Sequence, residues 1–429
     1  MRYHAIENSL YIKNRANFAK HLKPKSVAVF NSNDMMPTNA DGLMPFRQNN
    51  DLLYLSGVDQ EESILLIFPD AVHSKHREIL FVKETSELIA IWEGEKLTKA
   101  SATKQSGIQT IYWLTDFDQV FHSLMVEAER IYLNQNEHLR AITTVQTCDD
   151  RFRITCKAKY PHHKYERSAS IMRTLRPIKS PLELETMQHA CDITEKGFRR
   201  ILDFVKPGVM EYEIEAEFSH EFLRNRSRGF AYTPIIASGY NACVLHYIEN
   251  NLECKAGDVI LMDVGAEYAN YASDMTRCVP VSGRFTTRQK EVYNAVLRVM
   301  KGATSMLVPG TDHEEYHGEV GKLMESELIG LGLIDKTDIA HQDKANPLYK
   351  KYFMHGTSHQ IGLDVHDIEN RATPFAEGMV LTVEPGIYIP GENLGIRLEN
   401  DVLITKDGQH DLMKNIPLEA EEIEEIMNR

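Results

Sequence analysis

The chain repeats itself. The segment AGDVILMDVGAEY, starting at Ala256, aligns without a gap on EGMVLTVEPGIYI, starting at Glu377. Gly257 falls on Gly378, Asp263 on Glu384 and Gly265 on Gly386. Upstream, HYIEN at His246 falls on HDIEN at His366, at nearly the same distance from the acidic position. Further upstream, one helical pattern ends in Lys206-Pro207-Gly208 and another in Val308-Pro309-Gly310, and an acidic helix start follows each. The order helix, Pro-Gly, helix, histidine, acidic strand therefore occurs twice, and self-similarity of this kind marks a duplicated supersecondary unit. Two halves related by a pseudo-twofold axis would each bring an acidic strand and a histidine to one shared site.

The chemistry follows from what those strands carry. GDVILMDVGAEYANYASDMT, from Gly257 to Thr276, is aliphatic and β-branched around a turn-rich centre and reads as two adjacent strands. Each carries one aspartate, Asp263 and Asp274. Such carboxylates either lie at strand ends facing water or are buried together, where they repel and need positive charge between them. The repeat, with Glu384 matching Asp263, selects the second reading. Asp263, Asp274, His359, Glu384 and Glu399 then form a hard ligand set of four carboxylates and one imidazole. It favours Mn²⁺ and accepts Co²⁺, Fe²⁺ or Zn²⁺. Four carboxylates exceed the needs of one divalent ion and suit two, which together generate a hydroxide nucleophile at neutral pH. Arg397 lies two residues before Glu399 on an expected strand, hence on the same face, placed to orient ligand carboxylates or substrate. In HGTSHQIGLDVHD, His355, His359 and His366 fall close together, with His246 as a repeat mate. Only one is needed as a ligand, which leaves the others to bind substrate and stabilise a tetrahedral intermediate.

Around this centre the chain divides in two. Residues 1–174 read as an α/β domain: a helix from Leu10 to Leu22, a strand from Ser26 to Phe30, then the β-rich runs LLYLSGV, SILLIFP, EILFVK, TIYWL and RIYLN. Two of its stretches stand out. PFRQNNDLLYLSG places Arg47 and Asp51 among turn residues, and AIWEGEKL presents Trp92 beside Gly94 in a polar, turn-like setting. Residues 175–429 form the duplicated domain, entered through the capping box Ser180-Pro181-Leu182-Glu183. Its first helix runs to about Val205 and its second from Tyr212 to Arg224. Thr286 to Gln289 and Thr311 to Glu314 repeat the capping-box spacing and open helices of about 20 and about 18 residues. The tail PLEAEEIEEIMNR reads as an acidic, solvated helical cap.

Composition excludes several classes of function. The net charge of −14 argues against nucleic acid, and no long basic run contradicts it. No apolar run approaches the roughly 20 residues that span a bilayer, and MRYHAIENSLYIKNR has no apolar signal core, so a cytoplasmic protein without a membrane is expected. Six cysteines lie scattered without a C-x-x-C pair, which reads as reduced thiols and not a zinc site.

FSHEFLR, NACVLHYIEN, the Asp263/Asp274 strands, HGTSHQIGLDVHD, MVLTVEPGIYI and GIRLENDVLIT together resemble the Xaa-Pro aminopeptidases (aminopeptidase P) of the "pita-bread" metallopeptidases. The N-terminal PFRQNNDLLYLSG and AIWEGEKL resemble the same subfamily. The resemblance spans essentially the whole chain and implies an α+β architecture: a C-terminal pita-bread fold with internal pseudo-twofold duplication behind a smaller α/β domain that serves assembly and gating. It implies that Asp263, Asp274, His359, Glu384 and Glu399 hold two ions, with Asp274 and Glu399 bridging. His246, His355 and His366 line the substrate site, with Arg397 and Tyr388 beside it, and Glu384 shuttles a proton to the leaving prolyl nitrogen. The implied substrates are peptides with proline second, and the implied assembly is a homodimer or homotetramer in which Trp92 matches the tryptophan lent to a neighbour's proline-side pocket. Gln360 departs from the aromatic residue common after the metal-binding histidine, and the segments 370–377 and 390–394 are short, so subsite preference beyond proline stays open. The rival reading is a prolidase restricted to Xaa-Pro dipeptides.

Overall fold

The computed structural model describes residues 2–343 and 345–429, and the chain forms two compact units. One is Ala5–Arg176; the other is Pro177–Arg429 with the N-terminal residues up to His4.

The first unit is a six-stranded mixed sheet in the order β4-β3-β2-β1-β5-β6. Its elements are α1 (Ser9–Ala19), β1 (Ser26–Asn31), α2 (Asn50–Ser56), β2 (Ile64–Ile67), β3 (Glu78–Val82), α3 (Glu87–Glu93), α4 (Lys99–Ser106), β4 (Thr110–Trp113), α5 (Phe117–Met125), β5 (Arg130–Leu133), α6 (Cys148–Lys159), β6 (Lys164–Arg167) and α7 (Ala169–Leu175). Central β1 is buried along its whole length, as expected of a strand covered on both faces. Val27, Val29, Leu66, Ile79 and Phe81 from the sheet pack with Phe121, Leu124 and Cys156 from α5 and α6. Full burial of each of the larger aliphatic and aromatic side chains stabilises by about 1.5–3 kcal/mol.

Two local expectations fail here. LLYLS is a helix, α2, not a strand, because Asn49 caps the Asp51 and Leu52 N–H groups and Gly57 ends the turn in the left-handed region at φ 69°. The Trp92 stretch is also helical and carries an exposed apolar face of Leu88, Ile91 and Trp92. The capping hydroxyl of Ser86 starts it where composition reads as a turn.

The second unit contains α8 (Pro181–Phe204), α9 (Glu211–Arg224), β7 (Ile235–Ser238), β8 (Val259–Val264), β9 (Glu267–Tyr268), β10 (Tyr271–Ala272), β11 (Met275–Pro280), α10 (Thr287–Ser305), α11 (His313–Gly330), α12 (Lys336–Ala340), β12 (Val380–Val383), β13 (Gly386–Ile389), β14 (Leu394–Arg397), β15 (Asn400–Thr405), β16 (Gly408–Asp411) and α13 (Ala420–Met427). The duplication is visible in the backbone. In the first copy β8 pairs antiparallel with β11 and the small β9–β10 ladder is inserted between them. In the second copy β12 pairs antiparallel with β15 around the β13–β14 ladder. Gly257 and Gly378, matched in sequence, share φ of 91° and 88°. A bridge between Thr276 and Glu399 joins the copies, with Glu399 N–H donating to the Thr276 carbonyl at 3.1 Å.

Helices α8 and α9 pack together, with α8 against β9 and β10, and α10 packs on α11 and on β12 to β14. At the start of α8 Glu183 Oε2 accepts from the Ser180 N–H at 2.8 Å, and at α10 Thr286 and Gln289 form the full reciprocal box. α11 starts one residue later than its spacing predicts: Asp312, not Thr311, caps the Glu314 and Glu315 N–H groups. α13 is more than a solvated cap, since Ala420 and Ile423 are buried and Glu424 accepts from the Phe285 N–H at 3.0 Å. Among the described residues no helix is long and apolar enough to cross a membrane.

Candidate metal centre

The four acidic positions sit where each copy's strands meet its inserted hairpin. Asp263 is the next-to-last residue of β8 and Asp274 immediately precedes β11. Asp274 is thus not within a strand, as the sequence suggests, but at its mouth. Glu384 follows β12 and Glu399 precedes β15 in the same way. Asp274, Glu384 and Glu399 stand just outside the main ladders, where a side chain is freed from the strict alternation of a sheet, while Asp263 remains paired with Thr276 and Ile235 and points in from the strand itself. Ligand atoms of Asp274, His359 and Glu399, all three buried, lie within 4.8 Å of one another.

His359 supplies the test of whether a cation fits. Its Nδ1 lies 3.1 Å from the Gln360 carbonyl. A carbonyl only accepts, so Nδ1 carries the proton and Nε2 presents a lone pair in the neutral ring. That lone pair faces Asp274 Oδ2 at 3.5 Å and Glu384 Oε1 at 3.7 Å. A lone pair set against two carboxylate oxygens is repulsive unless positive charge lies among them, and the donor set fits a divalent cation. Electrostatics agree. Burial, then the charges of Asp263 and Asp401, holds the Asp274 carboxyl well above the usual carboxylate range. Burial, then Asp274 and Glu384, does the same to Glu399. The set on its own is short of positive charge, which bound metal would reverse.

Asp263 and Glu384 extend this core of three. Tyr232 Oη donates within reach of both Asp263 Oδ1, at 2.7 Å, and Asp274 Oδ1, at 2.5 Å. Arg397 Nη2 reaches Asp263 Oδ2 at 2.5 Å, and its Nε donates to Thr276 Oγ1 at 3.1 Å. Thr276 in turn donates to Glu399 Oε2 at 2.6 Å. Tyr232 and Thr276 are site residues the sequence reading missed. Thr276 was findable, since the sequence reads Asp274 and Thr276 as alternate residues of one strand, which would share a face. Tyr232, ahead of β7, has no spacing relation to any ligand.

The remaining histidines divide by position. His355 Nδ1 donates to the Gly356 carbonyl at 2.8 Å, so Nε2 accepts from Tyr388 Oη at 2.8 Å, and Arg397 Nη1 donates to that same Oη at 2.9 Å. Burial, then the positive charge of Arg397, pushes the His355 imidazolium down to about 3. His355 Nδ1 is also 3.7 Å from Glu384 Oε2. The His366 ring meets the His359 ring edge-on at 4.2 Å. His246 sits exposed on a turn, near enough for its charge to bear on His355. Trp92 belongs to the other unit, on α3, and is 81% exposed.

The family model described as metallopeptidase family M24 matches residues 185–406, and the one described as aminopeptidase P, N-terminal domain, matches residues 11–132. The Xaa-Pro aminopeptidase of Escherichia coli (strain K12) is 33% identical over 98% of this chain and 98% of its own. Xaa-Pro aminopeptidase 3 of Homo sapiens is 32% identical over 90% of this chain and 77% of its own. The solved structure of zinc-substituted E. coli aminopeptidase P in complex with product superposes with a TM-score of 0.87 at 31% identity, covering 99% of each chain. With its duplicated strands, its convergent carboxylates and a family match over more than half its length, the chain belongs to metallopeptidase family M24.

Proposed function

We propose that this chain is a metal-dependent Xaa-Pro aminopeptidase, an exopeptidase that releases the N-terminal residue of peptides with proline in second place. The observation that carries the reading is the convergence of Asp274, His359 and Glu399 in an M24 chain that also matches the aminopeptidase P N-terminal domain. That second match disfavours a prolidase restricted to dipeptides.

Asp263, Asp274, His359, Glu384 and Glu399 would hold two divalent ions, Asp274 and Glu399 shared between them, and the oxygen-rich set suits Mn²⁺. Bound there, the ions supply Lewis acidity and a hydroxide nucleophile at neutral pH. The chain's own residues do the rest. Glu384 takes the proton of the attacking water and delivers it to the prolyl nitrogen. His246 or His366 stabilises the oxyanion that forms as the carbonyl is attacked. His355 stays neutral and fixed between Gly356 and Tyr388, so it shapes the pocket without bringing charge. Proline offers no N–H, so histidine rings and Tyr388 recognise it by shape and apolar contact. Arg397 holds Asp263 and Tyr388 together and so joins the ligand shell to the pocket wall. The free α-amine of the substrate binds beside Asp263.

The wider reading places the protein in the cytoplasm, in keeping with its free cysteines, as a homodimer or homotetramer with Trp92 lent between subunits. Chelation of the purified protein should abolish cleavage of an Xaa-Pro-Xaa tripeptide, and Mn²⁺ should restore it best. Restoration by Zn²⁺ alone would overturn the metal assignment, and cleavage of Xaa-Pro dipeptides with no action on tripeptides would make the protein a prolidase.

A further inference from the structure

The loop that carries His246 hangs from a single buried carboxylate. Glu211 opens α9 and is fully buried. Its Oε1 accepts from the Ser238 N–H at 2.8 Å and from the Ser238 hydroxyl at 2.7 Å. Its Oε2 accepts from the Tyr247 hydroxyl at 2.8 Å and from the Leu252 N–H at 2.9 Å. Those bonds fill the roughly four lone-pair sites that a carboxylate offers. Ser238 ends β7 and starts the loop, Leu252 closes it, and Tyr247 directly follows His246. One turn along α9, Glu215 Oε2 accepts from Asn250 Nδ2 at 2.9 Å, and Asn250 Oδ1 accepts from the Ile236 N–H at 3.0 Å.

A buried carboxylate surrounded by neutral donors is a costly way to stabilise a fold, since its desolvation is large. What it provides is a set of short, directional, charge-assisted bonds, and here all of them fasten one loop at its start, middle and end. The second copy uses its equivalent helix for a like purpose. On α11, Tyr316 Oη lies 2.9 Å from Ser358 Oγ, and His317 Nδ1 lies 2.9 Å from Thr357 Oγ1. Both contacts fall on the loop between His355 and His359. In each copy the second helix therefore fixes the loop that presents a site histidine.

We propose that Glu211 is a positioning residue for His246, acting on turnover by holding the His246 turn in place and never touching substrate. The inference rests on the reading of His246 as a group that faces the reacting carbonyl. It is tested by a double-mutant cycle on the full chain with its metals, using Glu211→Gln, His246→Ala and the double variant. In the glutamine variant an NH₂ replaces one accepting oxygen and opposes the donors there. Glu211→Gln should lower kcat on a tripeptide about 10- to 100-fold, the scale of a small misplacement, with metal content unchanged. The double variant should be no slower than His246→Ala alone, because an effect exerted through a residue vanishes once that residue is gone. Multiplying losses, or loss of metal with Glu211→Gln, would overturn the proposal while leaving His246 in its role. A His246→Ala variant with parental activity would overturn the role of His246 itself, and the proposal with it. Should Glu211→Gln fail to fold, Tyr247→Phe removes one bond and keeps the ring, and the same cycle decides.

Discussion

One imidazole orientation does much to define the site. Because the Gln360 carbonyl holds Nδ1 of His359, Nε2 is turned toward Asp274 and Glu384, an arrangement that suits a cation bound among them. Asp274 lies closest to the centre of this set, since it meets His359, Tyr232 and the Glu399 group. Asp274→Ala should therefore strip both ions together and reduce activity by more than the 10- to 100-fold (~1–3 kcal/mol) typical of outer-shell partners. Metal analysis of the purified variant checks it, and two tightly held ions with full activity would defeat the ligand assignment. His366 packs its ring against that of His359, and the proposed assignment makes it a substrate-side group and not a ligand. His366→Ala should lower kcat by about 10²- to 10⁴-fold, the range of a lost acid–base or hydrogen-bonding group, with metal content retained. If this variant is isolated without metal, His366 is itself a ligand. Asp263 and Glu384 stood out as repeat mates, whereas the hydroxyls of Tyr232 and Thr276 that bond to the acidic groups had no mate to mark them.

Elements follow from local chemistry more closely than from composition. LLYLS has the composition of a strand, but Asn49 before it and Gly57 after it are helix signals, and they win. The capping box at Thr286 formed as read, while that at Thr311 gave way to Asp312, whose carboxylate reaches two N–H groups, at 2.8 and 3.2 Å. Asp312→Ala should cost about 1 kcal/mol of stability, the usual value of an N-cap, and Thr311→Ala clearly less. Denaturant titration of the two variants would show this, and equal losses would return the cap to Thr311. The inserted ladders explain the placement of ligands at element scale: β9–β10 and β13–β14 interrupt the main pairs, and the acidic residues stand at the interruptions.

At the scale of the molecule, the open question is what the exposed face of α3 meets. Leu88, Ile91 and Trp92 are 65%, 77% and 81% exposed, which is costly for a helix face left in water. If Trp92 serves another subunit, Trp92→Ala should impair tripeptides more than Xaa-Pro dipeptides and leave the metal content intact, and light scattering should show a dimer or tetramer. A monomer with full tripeptide activity would rule the loan out. The sequence by itself determined the duplication, the two-part organisation and which acidic residues and histidines are candidates for the site, because repeats, caps and charge are written locally and survive as spacing. Tertiary structure alone decided which of those groups converge. Asp274 and Glu399 come from different copies, and contacts between the copies, among them the Thr276–Glu399 bridge and the Asp274 N–H bond to Asp401 at 3.0 Å, bring their oxygens within reach of one histidine. It alone also decided that Glu211, unremarkable in a helix-opening acidic run, is buried under the His246 loop, since burial and the partners of a carboxylate depend on chain segments far apart in sequence.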